Sequence, residues 1–249
     1  MNWKFINSGF SSGKYNMDFD LKLTEKCNST TSFFRLYRWK PYCISLGANQ
    51  KFEDINLIRA KQDNLDVVKR PTGGRAILHA EEITYSAVMP LGSGLSNREI
   101  YTKISEALVR GLKIYNSKLE NVELENLQPN FPNLLNQPSG VLCFASTAKS
   151  EIKHNGKKLV GSAQRKMNNV VLQHGSILCG TFHTKLPNYL NANLSDIKIL
   201  NNELKNKTTE IETILNEPVD YFKLEQSLIK GFEEEWSTKL EEVNFEPAF

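Results

Sequence analysis

Two residue types suited to acyl chemistry stand close together in the sequence. Cys143 follows a proline-rich stretch, and Lys158 begins a strand-like segment. A thiolate is a strong nucleophile, and a neighbouring ammonium lowers the pKa of a thiol from its ordinary value of about 8.5. The pair could therefore carry a thioester intermediate. A small buried side chain is the commoner role of a free cysteine, and spacing alone does not decide between these two interpretations.

A second chemical feature is the segment RPTGGRAILH at residues 70–79. Its paired glycines, Gly73 and Gly74, let the backbone approach a ligand closely and leave amide N–H groups unobstructed. Arg70 and Arg75 place a positive charge on either side of them. An ordinary tight hairpin is the alternative. The segment is not a P-loop, since no Gly-Lys-Ser/Thr follows, and not a dinucleotide fingerprint, since a strand-like run and not a helix comes next.

The sequence predicts no metal site and no bound cofactor. Its four histidines, His79, His154, His174 and His183, lie far apart, and no CxxC or HxxxH pair occurs. His79 taken alone is more often a structural histidine than a ligand or a base.

The elements that must position these residues can be predicted from residue patterns. Aromatic and β-branched runs predict strands at 31–39, 42–46, 66–69, 76–79 and 83–89, and a short helix is expected at 54–64. A longer helix begins at Ser96 or Asn97, because apolar residues then recur at helical spacing: Ile100, Ile104, Leu108, Leu112 and Tyr115.

The second half of the chain predicts a hairpin followed by helices. Strands at 158–164 and 170–178 flank Asn168 and Asn169, residues that tolerate positive φ. Lys158 should share one strand face with Val160, Ser162 and Gln164. Near the C-terminus Pro218 suits a first helical position, and a buried helix face is predicted for Phe222, Ile229, Phe232 and Trp236. Hairpin-like groups of strands separated by helices favour an α+β fold with mixed and antiparallel sheets flanked by helices over a doubly wound parallel one.

Composition narrows the class of protein. The 249 residues are 40% hydrophobic and 24% charged, which excludes fibrous, disulfide-scaffold and wholly disordered classes and permits one full core. The absence of a signal-like start and of a long apolar run predicts a cytoplasmic protein with reduced thiols, in which Cys27, Cys43 and Cys179 pack. Residues 116–139, which contain three prolines, are expected to form an irregular surface loop.

Charge is locally uneven although the net charge is only +3. The stretch from Lys149 to Lys166 contains six basic residues and a single acidic residue, Glu151. This stretch is either a solvated basic face or a dock for an acidic macromolecule. The net charge is too weak to indicate nucleic-acid binding by itself, since non-specific binding needs a dense basic stripe.

Several motifs resemble one known family. Residues 70–79 with 82–86 resemble the signature of the biotin/lipoate protein ligase and transferase superfamily. Residues 141–145 (VLCFA), 156–164 (GKKLVGSAQ) and 171–178 (VLQHGSIL) extend the similarity over almost the whole chain, and the cysteine in a Cys-Phe context is typical of the octanoyltransferase branch. The resemblance implies one catalytic domain over residues 1–249, with a class II synthetase-like fold.

The resemblance also implies roles for single residues. Cys143 would be the acyl-thioester nucleophile, and Lys158 would lower its pKa and polarise the acyl carbonyl. The substrate pocket would be formed by residues of the glycine turn and of the lysine motif: Arg70, Gly73, Gly74, Arg75, His79, Gly161, Ser162 and Ala163. The family takes octanoyl-acyl carrier protein as donor and a lysine of a lipoyl domain, such as the glycine cleavage H protein, as acceptor. The enzyme is expected to act as a monomer, without nucleic acid or membrane.

Two other functions stay open at this point. An ATP-dependent lipoate ligase of the same fold would form an acyl-adenylate and need no cysteine. Such ligases usually have a small accessory domain or a partner chain, and the residues after the predicted C-terminal helix are too few for such a domain, which favours the transferase. A binding module for carrier proteins, without catalysis, is the third interpretation. It accounts least well for the presence of both Cys143 and Lys158.

Overall fold

The computed structural model describes residues 2–125 and 150–245, and within these ranges two sheets and six α-helices are found. The strands are β1 (Asn2–Ser11), β2 (Thr31–Trp39), β3 (Cys43–Leu46), β4 (Asp66–Lys69), β5 (Ile77–His79), β6 (Glu82–Pro90), β7 (Val122–Leu124), β8 (Ile152–His154), β9 (Lys157–Met167), β10 (Val170–Leu178) and β11 (Leu240–Glu242). The α-helices are α1 (Gly13–Lys26), α2 (Leu57–Gln62), α3 (Asn97–Tyr115), α4 (Leu194–Lys207), α5 (Ile211–Leu215) and α6 (Tyr221–Trp236).

The larger sheet has the strand order β11-β1-β2-β6-β10-β9-β8-β7 among the described residues. Strand β1 is parallel to both of its neighbours, whereas the pairs from β2 across to β7 are antiparallel. The smaller sheet, β4-β3-β5, joins one parallel pair to one antiparallel pair. These mixed sheets with helices around them confirm the predicted α+β class.

The β9–β10 hairpin has the predicted turn. Asn168 has a φ of 51°, in the left-handed region, and the two strands then pair in continuous register from Met167–Val170 to Val160–Ile177. This register fixes the position of every residue of the lysine motif relative to the centre of the sheet.

Helix α3 begins as predicted. The Ser96 side chain caps it by accepting a hydrogen bond from the Glu99 amide, and Glu99 reaches back to the Ser96 amide. All five residues of its predicted apolar stripe are buried, and the helix packs against α6 and one face of the large sheet.

The prediction for the C-terminal helix was wrong in two details. Pro218 precedes the helix, which starts at Tyr221 because the Asp220 carboxylate caps it by accepting from the Lys223 amide at 3.0 Å. Phe222 is 71% exposed, and Leu224 and Leu228 join the predicted Phe232 on the buried face. Phe222 lies two positions before Leu224, about 200° away around the helix axis.

Two other predicted boundaries also change. The helix expected at 54–64 is shorter, Leu57–Gln62, and follows a 3₁₀ turn at Phe52–Asp54. The loop expected at 116–139 is regular at its start, where β7 pairs with β8 at the edge of the large sheet. Residues 126–139 of that loop lie outside the described residues. In the described part of the chain no helix has the length and apolar character of a membrane span.

Candidate functional site

A cavity lies on the face of the large sheet that turns toward the small sheet. Strands β2, β6, β9 and β10 supply one wall, and Ser45 and Ile77 of the small sheet supply part of another. Five of the predicted substrate-binding residues line it: Arg70, His79, Gly161, Ser162 and Ala163. Arg70 and His79, at the two ends of the glycine segment, and three residues of the lysine motif, about ninety positions later, therefore meet at one cavity.

Several contacts hold His79 in the cavity wall. Its Nδ1 lies 2.8 Å from Glu82 Oε1, its Nε2 lies 2.7 Å from Ser45 Oγ, and its ring stacks on Trp39 with centroids 4.2 Å apart. Burial alone would raise the pKa of the Glu82 carboxyl, but the neighbouring His79 and the Thr84 hydroxyl bring this pKa below its ordinary value. His79 is therefore oriented by a buried carboxylate, and its ring face is covered.

A second polar network crosses the same face of the sheet. Arg35 and Asp20, both fully buried, pair at 2.8 Å, and the other carboxylate oxygen of Asp20 lies 3.2 Å from Nδ1 of His174. Burial by itself raises the pKa of Asp20, yet the hydrogen bond from His174 and the charge of Arg35 give a net lowering. Asp20 is therefore held as a carboxylate within the interior.

Arg70 holds the glycine turn together. Its guanidinium donates to the carbonyl oxygens of Gly73 at 3.0 Å and Arg75 at 2.6 Å, and to Ser45 at 3.0 Å. Because the side chain is 3% exposed, these hydrogen bonds act in a low-dielectric interior and are correspondingly strong. Arg70 lines the cavity, but these contacts assign it to shaping the turn.

Gly73, Gly74 and Arg75 form the turn without lining the cavity. Gly74 has a φ of 90°, a conformation that favours glycine. Its carbonyl oxygen lies so close to Gly47 that position 47 has no room for a side chain. The amide N–H groups of all three turn residues donate to no acceptor in the described part of the chain. They are therefore available to a ligand.

Lys158 is positioned by its strand and by a buried carboxylate. Its side chain is 1% exposed, its Nζ donates to Glu151 Oε1 at 2.8 Å, and its carbonyl accepts from the Thr209 amide at 3.0 Å. Lys158 does not line the cavity described above. Cys143 lies outside the described residues, so its predicted relation to Lys158 stays a prediction.

The basic stretch from Lys149 to Lys166 is not one continuous solvated face. Lys153 lies 3.6 Å from Glu123 and 3.4 Å from Glu125, carboxylates brought by β7 and the residue after it. Counting acidic residues only within the stretch missed these partners, because antiparallel pairing brings them from residues about thirty positions earlier. Lys149 lies outside the described residues, and the exposed cations that stay in this stretch are Lys157, Arg165 and Lys166.

The other three thiols fit the predicted packing role. Cys43 and Cys179 are fully buried, Cys27 is half-buried, and none of the three forms a disulfide within the described residues. Burial raises the pKa of Cys27 to about 12 and also raises the pKa values of the other two. Each of them is therefore a poor nucleophile near neutral pH.

The sequence patterns missed polar residues in the cavity wall and directly behind it. Asp20, Arg35 and Glu82 were not predicted as site residues, and His174 was noted only as one of four scattered histidines. The sequence did contain one signal in β2. Arg35 lies within a run of apolar, mostly aromatic residues, and a charged residue in such a run indicates a buried charge that needs a partner. Across residues 2–125 and 150–245, no cluster of three or more metal-ligating side chains is found.

Fold and site together define a catalytic domain of the lipoylation enzymes. The family model for the lipoyl protein ligase A/B catalytic domain matches residues 12–233, and the chain belongs to this family. Curated relatives name one particular enzyme: the octanoyltransferase LipM of Clostridioides difficile is 32% identical over 247 residues, covering 96% of this chain and 89% of the relative. LipM of Kyrpidia tusciae is also 32% identical, with the same two coverages.

Solved structures agree on the fold. A lipoate-protein ligase A bound with ATP superposes with a TM-score of 0.78 at 18% identity, over 99% of this chain and 90% of that one. A bi-partite lipoate protein ligase from Thermoplasma acidophilum, solved with its E2 lipoyl domain, gives a TM-score of 0.75 at 16% identity, over 98% and 88%. At these identities the similarity concerns the fold alone.

Proposed function

We propose that the protein is an octanoyltransferase of lipoate biosynthesis. It moves an octanoyl group from octanoyl-acyl carrier protein, through a thioester on Cys143, to a lysine of a lipoyl domain. The observation that carries the proposal is the similarity of about a third of the residues, over nearly the whole chain, to enzymes named octanoyltransferase LipM. The proposal treats residues 1–249 as one catalytic domain, acting as a monomer in the cytoplasm.

Two transfers make up the proposed reaction. The Cys143 thiolate attacks the donor's thioester carbonyl, and the carrier's thiol leaves with the proton that Cys143 gave up. The unprotonated amine of the acceptor lysine then attacks the new thioester, forming an amide and returning the thiol of Cys143. The first step exchanges one thioester for another of similar energy and the second runs downhill to an amide, so the sequence of steps consumes no ATP.

The cavity suits the acyl chain. Met17, Trp39 and Ile77 give it apolar surface. Each methylene that the chain buries there would contribute about 0.8 kcal/mol.

The glycine turn suits the reacting carbonyl. The amide N–H groups of Gly73, Gly74 and Arg75 have no acceptor in residues 2–125 and 150–245, and the turn that carries them is fixed by Arg70. Donors held in place without a partner stabilise an oxygen that becomes negative in the transition state. We assign this role to the turn in both transfers.

A mass measurement tests the function. The protein is incubated with octanoyl-acyl carrier protein without ATP, and its intact mass is measured before and after a lipoyl domain is added. We expect a single octanoyl adduct that passes to the acceptor, is absent in Cys143→Ala and persists in the matched control Cys27→Ala. Transfer that survives in Cys143→Ala and requires ATP with free octanoate would instead identify a ligase.

Lys158 has a separate test. If its ammonium lowers the pKa of Cys143, the rate of thiol alkylation against pH should shift to higher pH in Lys158→Ala. Lys153→Ala is the matched control, because Lys153 is also paired with carboxylates, those of Glu123 in the neighbouring strand β7 and Glu125 just after it. A profile that is the same in both variants and in the unmodified protein contradicts this role for Lys158.

A further inference from the structure

Thr72 connects the glycine turn to the centre of the large sheet. Its side chain is fully buried, and its Oγ1 lies 2.6 Å from Nε2 of His174. Its carbonyl accepts from the Ala48 amide at 2.9 Å. Thr72 directly precedes the two glycines, so any movement of its side chain passes to the backbone that carries their amide groups.

His174 is itself held from behind. It lies in the middle of β10, and its Nδ1 is 3.2 Å from Asp20 Oδ2. The other oxygen of Asp20 accepts from Arg35 at 2.8 Å and from the Ser86 hydroxyl at 2.8 Å. A continuous series of hydrogen bonds therefore joins Asp20 of α1, His174 of the large sheet and Thr72 of the glycine turn.

The direction of each hydrogen bond follows from the chemistry of the groups. The Asp20 carboxylate can only accept, so Nδ1 of His174 donates to it. Burial lowers the pKa of His174, which favours the neutral ring. In a neutral ring that donates from Nδ1, Nε2 is an acceptor, and the Thr72 hydroxyl must donate to it. The hydroxyl is thereby fixed in one rotamer.

A hydroxyl, an imidazole and a carboxylate in this order also occur where a hydroxyl is activated as a nucleophile. Here Thr72 is fully buried, whereas residues 73–75 are partly exposed, so the hydroxyl of Thr72 cannot meet a substrate carbonyl. The hydrogen bonds of Thr72 can instead fix the conformation of the backbone that follows it, at residues 73–75.

We propose that Asp20, His174 and Thr72 are positioning residues that fix the direction of the amide groups of residues 73–75. This inference rests on the proposed function, in which those amides receive the acyl carbonyl. Misplacement of a reacting group by about 1 Å can cost on the order of 100-fold in rate, so the loss of one hydrogen bond at Thr72 should be visible in the transfer rate.

The test compares Thr72→Val with Thr72→Ser. In single-turnover acylation by octanoyl-acyl carrier protein, we expect Thr72→Val to lower the maximal rate at least ~10-fold, with the half-saturating donor concentration changed by less than ~3-fold. Thr72→Ser keeps the hydroxyl and should restore the maximal rate. Thr24→Val is the matched control, since the Thr24 hydroxyl donates to a carbonyl at the end of α1. Thr72→Ala replaces Thr72→Val if the latter does not fold.

A second measurement does not depend on activity. Hydrogen exchange of the Ala48 amide, which donates to the Thr72 carbonyl, should accelerate at least ~10-fold in Thr72→Val and stay unchanged in Thr72→Ser. If the unmodified protein takes up no octanoyl group, the proposed function fails while this measurement still tests the positioning role. A maximal rate or an exchange rate in Thr72→Val equal to that of the unmodified protein overturns the inference.

Discussion

The two faces of the large sheet contain different kinds of interior. On the face covered by α3 and α6, strand β2 places Phe34 and Leu36 in an apolar core. On the cavity face the same strand places Arg35, Tyr37 and Trp39, all of them buried. Strand β10 alternates in the same way, with Ile177 in the core and His174 at the cavity. Because successive residues of a strand point to opposite faces, the same strands supply apolar side chains to the core and polar side chains to the cavity face.

The two faces of the large sheet differ in how well their contacts tolerate a substitution. An apolar contact in the helix-covered core depends on volume and shape, and neighbouring side chains can adjust to a change. A charged group on the cavity face depends on one particular partner, as Arg35 depends on Asp20. Removing one member leaves the other buried without compensation. We therefore expect single substitutions on the cavity face to have the larger effects.

The largest effect is expected for Asp20→Ala. Breaking a buried ion pair from one side typically costs about 3–5 kcal/mol, because the remaining charge loses its partner in the interior. Asp20→Ala should lower the free energy of unfolding by this amount in urea titrations followed by circular dichroism. The control is Asp18→Ala in the same helix, whose partner Lys14 is largely exposed, and whose cost should stay below about 1 kcal/mol.

The same pair gives a pH dependence with a defined sign. The pKa of Asp20 is lowered in the folded protein, so the unfolded chain binds its proton at a higher pH than the folded chain does. The stabilisation is complete above the unfolded pKa of about 3.9 and is lost as the pH falls through the folded pKa. The difference in stability between the unmodified protein and Asp20→Ala should therefore shrink under acid conditions. A difference that does not change with pH contradicts the ionised state of Asp20.

A smaller effect is expected where α3 and α6 approach most closely. A Cβ on Gly111 would lie 2.7 Å from Leu228 Cα and 2.9 Å from the Ser227 carbonyl, both of them backbone atoms that cannot rotate away. Gly111→Ala should lower the free energy of unfolding by about 1–3 kcal/mol, despite the better helix propensity of alanine. Gly73→Ala is the control, since a Cβ there meets nothing within 4 Å. Equal stability of both variants would show that the helices can separate without cost.

The sequence predicted the helix-covered face of the large sheet better than the cavity face, because the first depends on apolar periodicity and the second on particular polar partners. The core side of the fold was predictable because it depends on periodicity: the α3 stripe from Ile100 to Tyr115 and the β9–β10 hairpin were found from spacing alone. Resemblance to a family, and not the residue pattern, predicted a substrate pocket shared by the glycine turn and Gly161–Ala163. In the structure Arg70, His79 and Gly161–Ala163 line one cavity, and residues 73–75 are not part of its lining. Strand β1 and helix α1 were not predicted, since α1 buries Asn16 and Asp20 along with its apolar residues and so lacks a clear apolar stripe.

The polar network could not be predicted in this way. Asp20, Arg35 and His174 lie in α1, β2 and β10, and their pairing depends on sheet order, which no local window contains. The partners of Lys153 were missed for the same reason, because β7 reaches β8 only in the folded protein. Local patterns indicate that a residue is buried or exposed, whereas the identity of its partner is a property of the topology.

The smallest effect is expected for Phe222→Ala, which tests the corrected face of α6. Phe222 is 71% exposed, so its removal should change the free energy of unfolding by no more than about 0.5 kcal/mol. Phe232→Ala, ten residues later in the same helix, is the comparison, because Phe232 is fully buried and stacks on Phe34 with centroids 4.2 Å apart. Loss of a buried phenylalanine costs about 3–5 kcal/mol. A cost above about 1 kcal/mol for Phe222→Ala would mean that this side chain is covered in solution, because a fully solvated ring has no apolar contacts to lose.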